Sequence, residues 1–440
     1  MQALIMAAQL ILGISILVIL HEFGHYLAAR AFGIKVEKFY LFFDAWGVKL
    51  FSFKRGDTEW GIGWLPLGGY VKIAGMIDES MDKEAMKLPP QSWEFRSKPA
   101  WQRLIVMIAG VVVNIIAGVI IFAMMSYTYG EKYTLNSSVT NGIVPSEMAK
   151  EIGFELGDKL ISVNGKQITR FEDALKIEHV LGEDVSYLVE RNSKKVEVKL
   201  PNDFIKKFSN AKADFFLPRM HFYIHELVPG NNAERAGLKV NDVITKVDTQ
   251  SFMYFDQFQQ LLKDHAGKET DFTVLRDNNL VVLNVKVDET GRVGFKPDTK
   301  DFQYEIVHYS FLSSFPAGWN KAVETIDAQI KGWAKIFKGD IAVNKAVQGP
   351  IGIAKFYGGE WIWSRFWLFT ALISLGLAFM NILPIPALDG GHVLFLLFEM
   401  VLGRPLSEKF LERAQYAGMM LLLTMMVLIF GNDIWGLFVK

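Results

Sequence analysis

The 440-residue chain contains no cysteine, which removes disulfide frameworks, thiolate metal sites and cysteine nucleophiles together. Any bound metal must therefore be held by His, Asp or Glu. The chain also lacks a charge excess. Lys plus Arg and Asp plus Glu both number 47, for a formal charge of zero, so bulk attraction to nucleic acid is not expected. What is abundant is apolar: 51% of residues are hydrophobic and 13% aromatic. The length predicts roughly two to four structural units rather than one compact domain.

The apolar residues lie in runs without charge. From Ala3 to Leu20 only Gln9 and Ser15 are polar. About 20 apolar residues in a helix cross a hydrocarbon core of about 30 Å, so this run and the turn after it predict a first span. A signal peptide is disfavoured, because no basic residue precedes the run and no small-residue cleavage site follows it before His21. Further spans are predicted from Leu104 to Tyr127, from about Trp361 to Leu383 and from about Tyr416 to Phe438. Residues 393–403 are too short to cross alone and are expected to cap the third span or pack beside it. Lys and Arg crowd the stretch from Arg30 to Arg103 and recur at Arg404, Lys409 and Arg413. The positive-inside rule puts both connections in the cytoplasm. Both termini and residues 128–360 then face the far side, the periplasm if the membrane is a Gram-negative inner membrane.

The far-side region repeats itself. A shift of 84 residues places Val144 on Val228, Ala149 on Ala233, Gly153 on Gly237, Asp158 on Asp242, Val163 on Val247 and Phe171 on Phe255. Two copies of one unit are predicted. Each has a Gly-containing turn, a strand opened by Gly157-Asp158 or Asn241-Asp242, a tight turn (Asn164-Gly165 in the first copy) and a short helix, 171–180 or 255–264. After them, Phe315, Trp319, Val323, Ile326, Ile330, Trp333 and Phe337 recur every three or four residues. They predict an amphipathic helix with Pro316 near its start, lying on the membrane surface, bracing the repeats or packed on the second of them.

Ionisable residues end the first run as His21-Glu22-Phe23-Gly24-His25. On a helix, residues four apart share a face, so both imidazoles can address one metal while Glu22 reaches a water beside it. This is the HExxH pattern of zinc peptidases. Its place at the edge of an uncharged span argues for function, because such groups are costly in lipid. A catalytic zinc usually takes three protein ligands. The third run ends in Asn381-Ile-Leu-Pro-Ile-Pro-Ala-Leu-Asp389-Gly-Gly-His392, where Pro384 and Pro386 break the helix and free its carbonyls. Asp389 is the candidate third ligand and His392 its rival, and a purely capping role for Asp389 is the bland alternative. Asn381 is a candidate for binding substrate backbone or an oxyanion, or else for bonding one helix to another. Asn114, in the second span, has the same two readings with less to favour function.

HExxH in a first membrane helix, NxLPxPxLDGG in a later one and two intervening repeats together resemble the site-2 protease family, in its sigma-E-regulating branch with tandem PDZ domains. The resemblance implies a multi-pass α-helical membrane protein with about four transmembrane helices, a membrane-associated β-hairpin region and two extracytoplasmic PDZ-like α+β domains at 129–218 and 219–305. It implies Zn2+ on His21, His25 and Asp389, with Glu22 as catalytic base. The activity implied is an endopeptidase making the second cut of regulated intramembrane proteolysis on transmembrane protein substrates, such as an anti-sigma factor, or on remnant signal peptides. Leu65–Met76 resembles the family's re-entrant β region, and residues 34–73 alternate like short strands with a turn at Arg55-Gly56-Asp57. Gly69, Tyr70 and Val71 are thus candidates for holding substrate as an added strand. Partners expected are the lipid bilayer and peptide ligands of the PDZ-like domains, or for those domains a size filter only. Val347–Lys355 resembles the family's GGPIGIA segment. The chain departs from the family at Phe39–Gly47, which lacks its GFG, and at Gln348. A non-catalytic scaffold and a metal transporter are the rival functions.

Overall fold

The computed structural model describes residues 2–76, 89–176, 184–201, 204, 215–228, 230–339 and 348–438. The chain forms two units. One holds residues 1–130 with 308–440, and the other holds 131–307.

The first unit begins with α1 (Gln2–Ala31). Its buried residues Leu10, Gly13, Leu17, His21 and Gly24 advance by three or four and His25 adjoins the last, while Leu4, Ile11, Leu12, Ile19, Phe23 and Leu27 are exposed. Both faces are apolar, as a helix in lipid requires. A four-stranded sheet follows, from β1 (Val36–Phe43), β2 (Lys49–Arg55), β3 (Thr58–Gly63) and β4 (Leu65–Ile73), in the order β2-β3-β1-β4. β2 and β3 turn at Gly56, whose φ of 62° suits glycine. β4 pairs with β1 alone among the described strands, which makes it an edge strand of this sheet.

After Pro99 comes α2 (Ala100–Tyr129), with Val106, Met107, Gly110, Val111, Asn114, Ala117 and Gly118 buried on one face. It crosses α1 closely. A Cβ on Gly24 would lie 2.6 Å from the Ala109 carbonyl oxygen, so only glycine fits there. Small residues at such crossings are how membrane helices approach in the absence of a hydrophobic drive.

The second unit confirms the internal repeat in strand order. β5 (Glu131–Thr134) leads into β6 (Ile143–Pro145) and α3 (Glu147–Ile152). β7 (Lys159–Val163), β8 (Lys166–Gln167), β9 (Ser186–Arg191) and β10 (Lys194–Lys199) then form a sheet ordered β10-β9-β7-β8, and β11 (Phe216–Pro218) pairs with β6. The second copy supplies β12 (Tyr223–Leu227), α4 (Asn232–Arg235), β13 (Val243–Val247), β14 (Gln250–Ser251), α5 (Phe255–Asp264), β15 (Glu269–Arg276), β16 (Asn279–Lys286) and β17 (Phe295–Asp298). Its sheet is β14-β13-β15-β16, and β12 pairs with β17. Hydrogen bonds repeat as well. Arg191 makes a two-point contact with buried Asp158, and Arg276 does the same with buried Asp242. Each Asp also accepts from a backbone N–H three residues earlier, of Glu155 or Lys239. β18 (Tyr304–Val307) closes the unit against β5. The expected helix 255–264 is α5. In the first copy residues 171–175 form a 3-10 turn, and 177–180 lie outside the described residues.

The amphipathic helix is α6 (Phe311–Lys338), capped by Ser310. It starts one turn earlier than expected, with Pro316 inside it. It belongs to the first unit, where Ala322 joins Phe122, Ala371 and Leu375 in one buried cluster and a Cβ on Gly318 would meet the Val119 carbonyl at 2.6 Å. The helix packs through the small residues Ser314, Gly318 and Ala322, while Trp319, Val323, Ile330 and Phe337 of the apolar stripe are exposed.

α7 (Pro350–Tyr357) carries the GPIGIA residues, and the Asp433 carboxylate accepts from the N–H groups of Gly349, Ile351 and Gly352 at its start. Val347 lies outside the described residues. α8 (Trp363–Ile382), α9 (Asp389–Leu402) and α10 (Glu408–Phe438) complete the chain. The third span ends at Ile382, one residue before the expected Leu383, because Pro384 and Pro386 cannot continue the ladder. Residues 393–403 belong to a helix of their own, tied to α2 by an Arg103–Glu399 ion pair. Among the described residues four helices, α1, α2, α8 and α10, are long and apolar enough to cross a membrane, as a multi-pass membrane protein requires.

Candidate metal centre

Three side chains from three segments converge. His21 and His25 stand one turn apart on the buried face of α1, and Asp389 opens α9. His21 Nε2 lies 3.1 Å and His25 Nε2 3.3 Å from Asp389 Oδ2, and the two ring nitrogens are 3.3 Å apart. Among the described residues this is the one group of three metal-capable side chains brought together. His392, one turn along α9, is outside the triplet, although it lines the adjoining cavity.

The donor set fits zinc in type and spacing. Tetrahedral sites with bonds of about 2.0–2.1 Å have ligand-to-ligand edges of about 3.3–3.4 Å, close to the three separations here. Asp389 Oδ2 is buried and makes no hydrogen bond in spite of its two nitrogen neighbours. A buried carboxylate oxygen left without a hydrogen bond costs energy, and a cation held between it and the two imidazoles would supply the missing partner.

The loop before Asp389 is held from several sides. Ala387 has φ of 78°, a left-handed backbone that a Cβ makes unfavourable, and its N–H donates to Gln415 Oε1 on α10. A Cβ on Gly391 would lie 2.6 Å from the Ile385 carbonyl oxygen, so the close approach expected of Gly390-Gly391 is observed. Behind the histidines lies α2. His25 Nδ1 donates to the Val106 carbonyl at 2.8 Å. Gly110 leaves room for both rings, since a Cβ there would overlap His25 Nε2 and sit 2.7 Å from His21 Cε1. Asn114, fully buried, approaches His21 Nδ1 at 3.3 Å. Sequence reasoning gave no role to Gly110 and little weight to Asn114. Their signal was a spacing of four, which puts both on the α2 face that meets the histidines.

A cavity of about 510 Å³ opens on the donors. Its lining includes His21, Glu22, His25 and Asp389 together with Gly69, Tyr70 and Val71 of β4. Candidate base and candidate substrate edge thus share one chamber. Asn381 does not line it, and its Nδ2 lies 3.2 Å from His21 Nε2. The wall opposite carries a polar clamp, in which Lys38 Nζ is 2.9 Å from Asp44 Oδ2 and the Tyr70 hydroxyl donates to Asp44 Oδ1 at 2.8 Å. Burial pushes the Asp44 carboxyl up, and the hydrogen bonds from Lys38 and Tyr70 outweigh it and hold the group below the usual carboxylate range. Asp44 stands in the segment that departs from the family's GFG. His221 and His265 pair instead with Asp301 and Asp248 in the repeat unit.

Residues 9–425 match peptidase family M50. The chain is 30% identical over 447 residues to the regulator of sigma E protease of Haemophilus influenzae, covering 96% of this chain and 97% of that one. It is 28% identical over 453 residues to the regulator of sigma-E protease RseP of Escherichia coli K12, covering 97% of each. A Neisseria meningitidis protein whose name includes the words zinc metalloprotease is 30% identical over 447 residues, covering 96% of this chain and 97% of that one.

Proposed function

The chain belongs to peptidase family M50, and from that premise we propose how its residues carry out zinc-dependent proteolysis inside a membrane. His21, His25 and Asp389 hold the zinc ion, which supplies Lewis acidity toward a peptide carbonyl and lowers the pKa of a water. Glu22 takes the proton of the attacking water and returns it to the leaving amine. Asn381 binds substrate backbone or the developing oxyanion. A helical substrate hides its carbonyls in its own hydrogen bonds, so it must unwind locally. The edge of β4 at Gly69, Tyr70 and Val71 then holds the unwound stretch as an added strand. The observation that carries this reading is the buried, unbonded Asp389 Oδ2 facing two imidazole nitrogens at 3.1 and 3.3 Å.

The substrates are transmembrane segments, cut second in regulated intramembrane proteolysis. An anti-sigma factor already trimmed by a site-1 protease is the first candidate, in keeping with the names of the relatives, and remnant signal peptides are the next. The enzyme sits in the inner membrane with its site toward the cytoplasm and its termini in the periplasm. The two repeats, 129–218 and 219–305, are periplasmic PDZ-like domains that bind peptides or exclude substrates whose outer domain is intact. A scaffold without catalysis is not favoured, because HExxH is whole.

Glu22→Gln tests this reading. The purified variant should keep zinc, while cleavage of a transmembrane substrate in proteoliposomes falls about 10²–10⁴-fold. Unchanged proteolysis would remove Glu22 as the base, and metal flux insensitive to the substitution would favour a transporter.

A further inference from the structure

His21 presents a contradiction that one side chain resolves. Asn381 Nδ2 lies 3.2 Å from its Nε2, and Asn114 Nδ2 lies 3.3 Å from its Nδ1. Two amide N–H donors on both nitrogens would need two lone pairs, whereas a neutral imidazole has one lone pair and one N–H. One amide must therefore turn its oxygen to the ring. Amide oxygen and nitrogen have nearly the same shape, so the hydrogen-bond network decides between them.

The network selects Asn114. As a ligand through Nε2, the nitrogen turned toward Asp389 Oδ2 and His25 Nε2, neutral His21 carries its lone pair there and its proton on Nδ1. Asn114 is fully buried, and its Oδ1 has no hydrogen-bond partner in its present orientation. Rotating the amide by half a turn brings that oxygen onto the Nδ1–H. The backbone of Asn114 is independently anchored, since its carbonyl accepts from Ser374 Oγ of α8 at 2.7 Å. His25 follows the same scheme, with Nδ1 bonded to the Val106 carbonyl. α2 thus backs both imidazoles and leaves both Nε2 atoms facing the acid.

We propose that Asn114 is a positioning residue of the metal centre: its Oδ1 accepts the Nδ1–H of His21, which fixes the tautomer and the ring plane and raises metal affinity. The inference rests on the reading of His21, His25 and Asp389 as zinc ligands. Groups that orient a ligating imidazole typically contribute 10–100-fold in affinity.

The test measures zinc affinity of the full-length protein in detergent by chelator competition, for wild type, Asn114→Leu and Asn114→Asp. Leu keeps the approximate volume and loses the polar group, and Asp offers acceptors only. Asn114→Leu should bind zinc 10–100-fold more weakly, with unchanged helicity and gel-filtration profile in the metal-free state, and Asn114→Asp should match or exceed wild type. If Leu does not fold, Asp alone decides, because an amide N–H on Nδ1 could not be replaced by a carboxylate. Wild-type affinity in the Leu variant, or more than tenfold weakening in the Asp variant, overturns the proposal. Failure of the wild-type protein to bind zinc overturns the ligand reading beneath it and is distinguishable from both.

Discussion

Gly110→Ala should disable the centre without altering a ligand. The added Cβ would overlap His25 Nε2 and lie 2.7 Å from His21 Cε1 and 2.9 Å from His21 Nδ1. Ordinary carbon contacts begin near about 3.5 Å, so relief of the closest contact requires a shift of roughly 1 Å in the rings or in α2. The rings have little freedom, because Nδ1 of His25 is bonded to Val106 and His21 is wedged between Asn114 and Asn381. Functional constellations tolerate displacements of about 0.5 Å, and a misplacement of about 1 Å costs on the order of 10²-fold in rate. Overpacking of this kind costs about 1–3 kcal/mol of stability, which leaves most membrane helices assembled. The expected result is a folded protein with zinc affinity reduced about tenfold or more and cleavage reduced on the order of 10²-fold, read by zinc content after dialysis and by single-turnover proteolysis. Gly332→Ala serves as the control, since nothing lies within 4 Å of its Cβ position. Wild-type zinc content and rate in Gly110→Ala would refute the claim that α2 presses on both rings.

Two further outcomes concern the repeat unit. Asp158→Ala and Asp242→Ala each remove a buried carboxylate that pairs with an Arg and receives a backbone N–H; each should cost about 2–3 kcal/mol. The effects should add in the double variant because the two sites share no partner, and hydrogen exchange of β7 and β13 reports them separately. The β5–β18 closure should be acid-sensitive: Arg170 Nε donates to Glu305 at 2.9 Å and holds that carboxyl below its usual range. A depressed carboxylate pKa gives a contribution complete above the unfolded value and lost as pH falls through the folded one. Amide protection of residues 304–307 should therefore decline only below about pH 4, and Arg170→Gln should abolish that dependence.

Chemical identity was legible in the residues themselves. His21 and His25 at helical spacing mark a candidate metal pair with Glu22 as candidate base, and the prolines before Asp389 mark a broken helix end. The duplication was legible because Asp158 and Asp242 occupy equivalent places, and the structure adds the Arg partner that each requires. The placement of α6 was not legible. The stripe marked Trp319, Val323, Ile330 and Phe337, which are exposed, whereas the residues that pack against neighbouring helices are the small Gly318 and Ala322, which carry no apolar signal.

The local sequence by itself determined which segments are helical, where they stop and which side chains can donate to a metal, because caps, prolines and apolar runs act over a few residues. Tertiary structure alone decided which face of each uniformly apolar span points inward, since a helix surrounded by lipid needs no polar face and leaves no periodic trace. It also decided which groups meet the imidazole nitrogens, and these lie far along the chain. Val106 is 81 residues from His25, Asn114 is 93 from His21 and Asn381 is 360 from His21, and only the crossing of the helices brings them within hydrogen-bond reach.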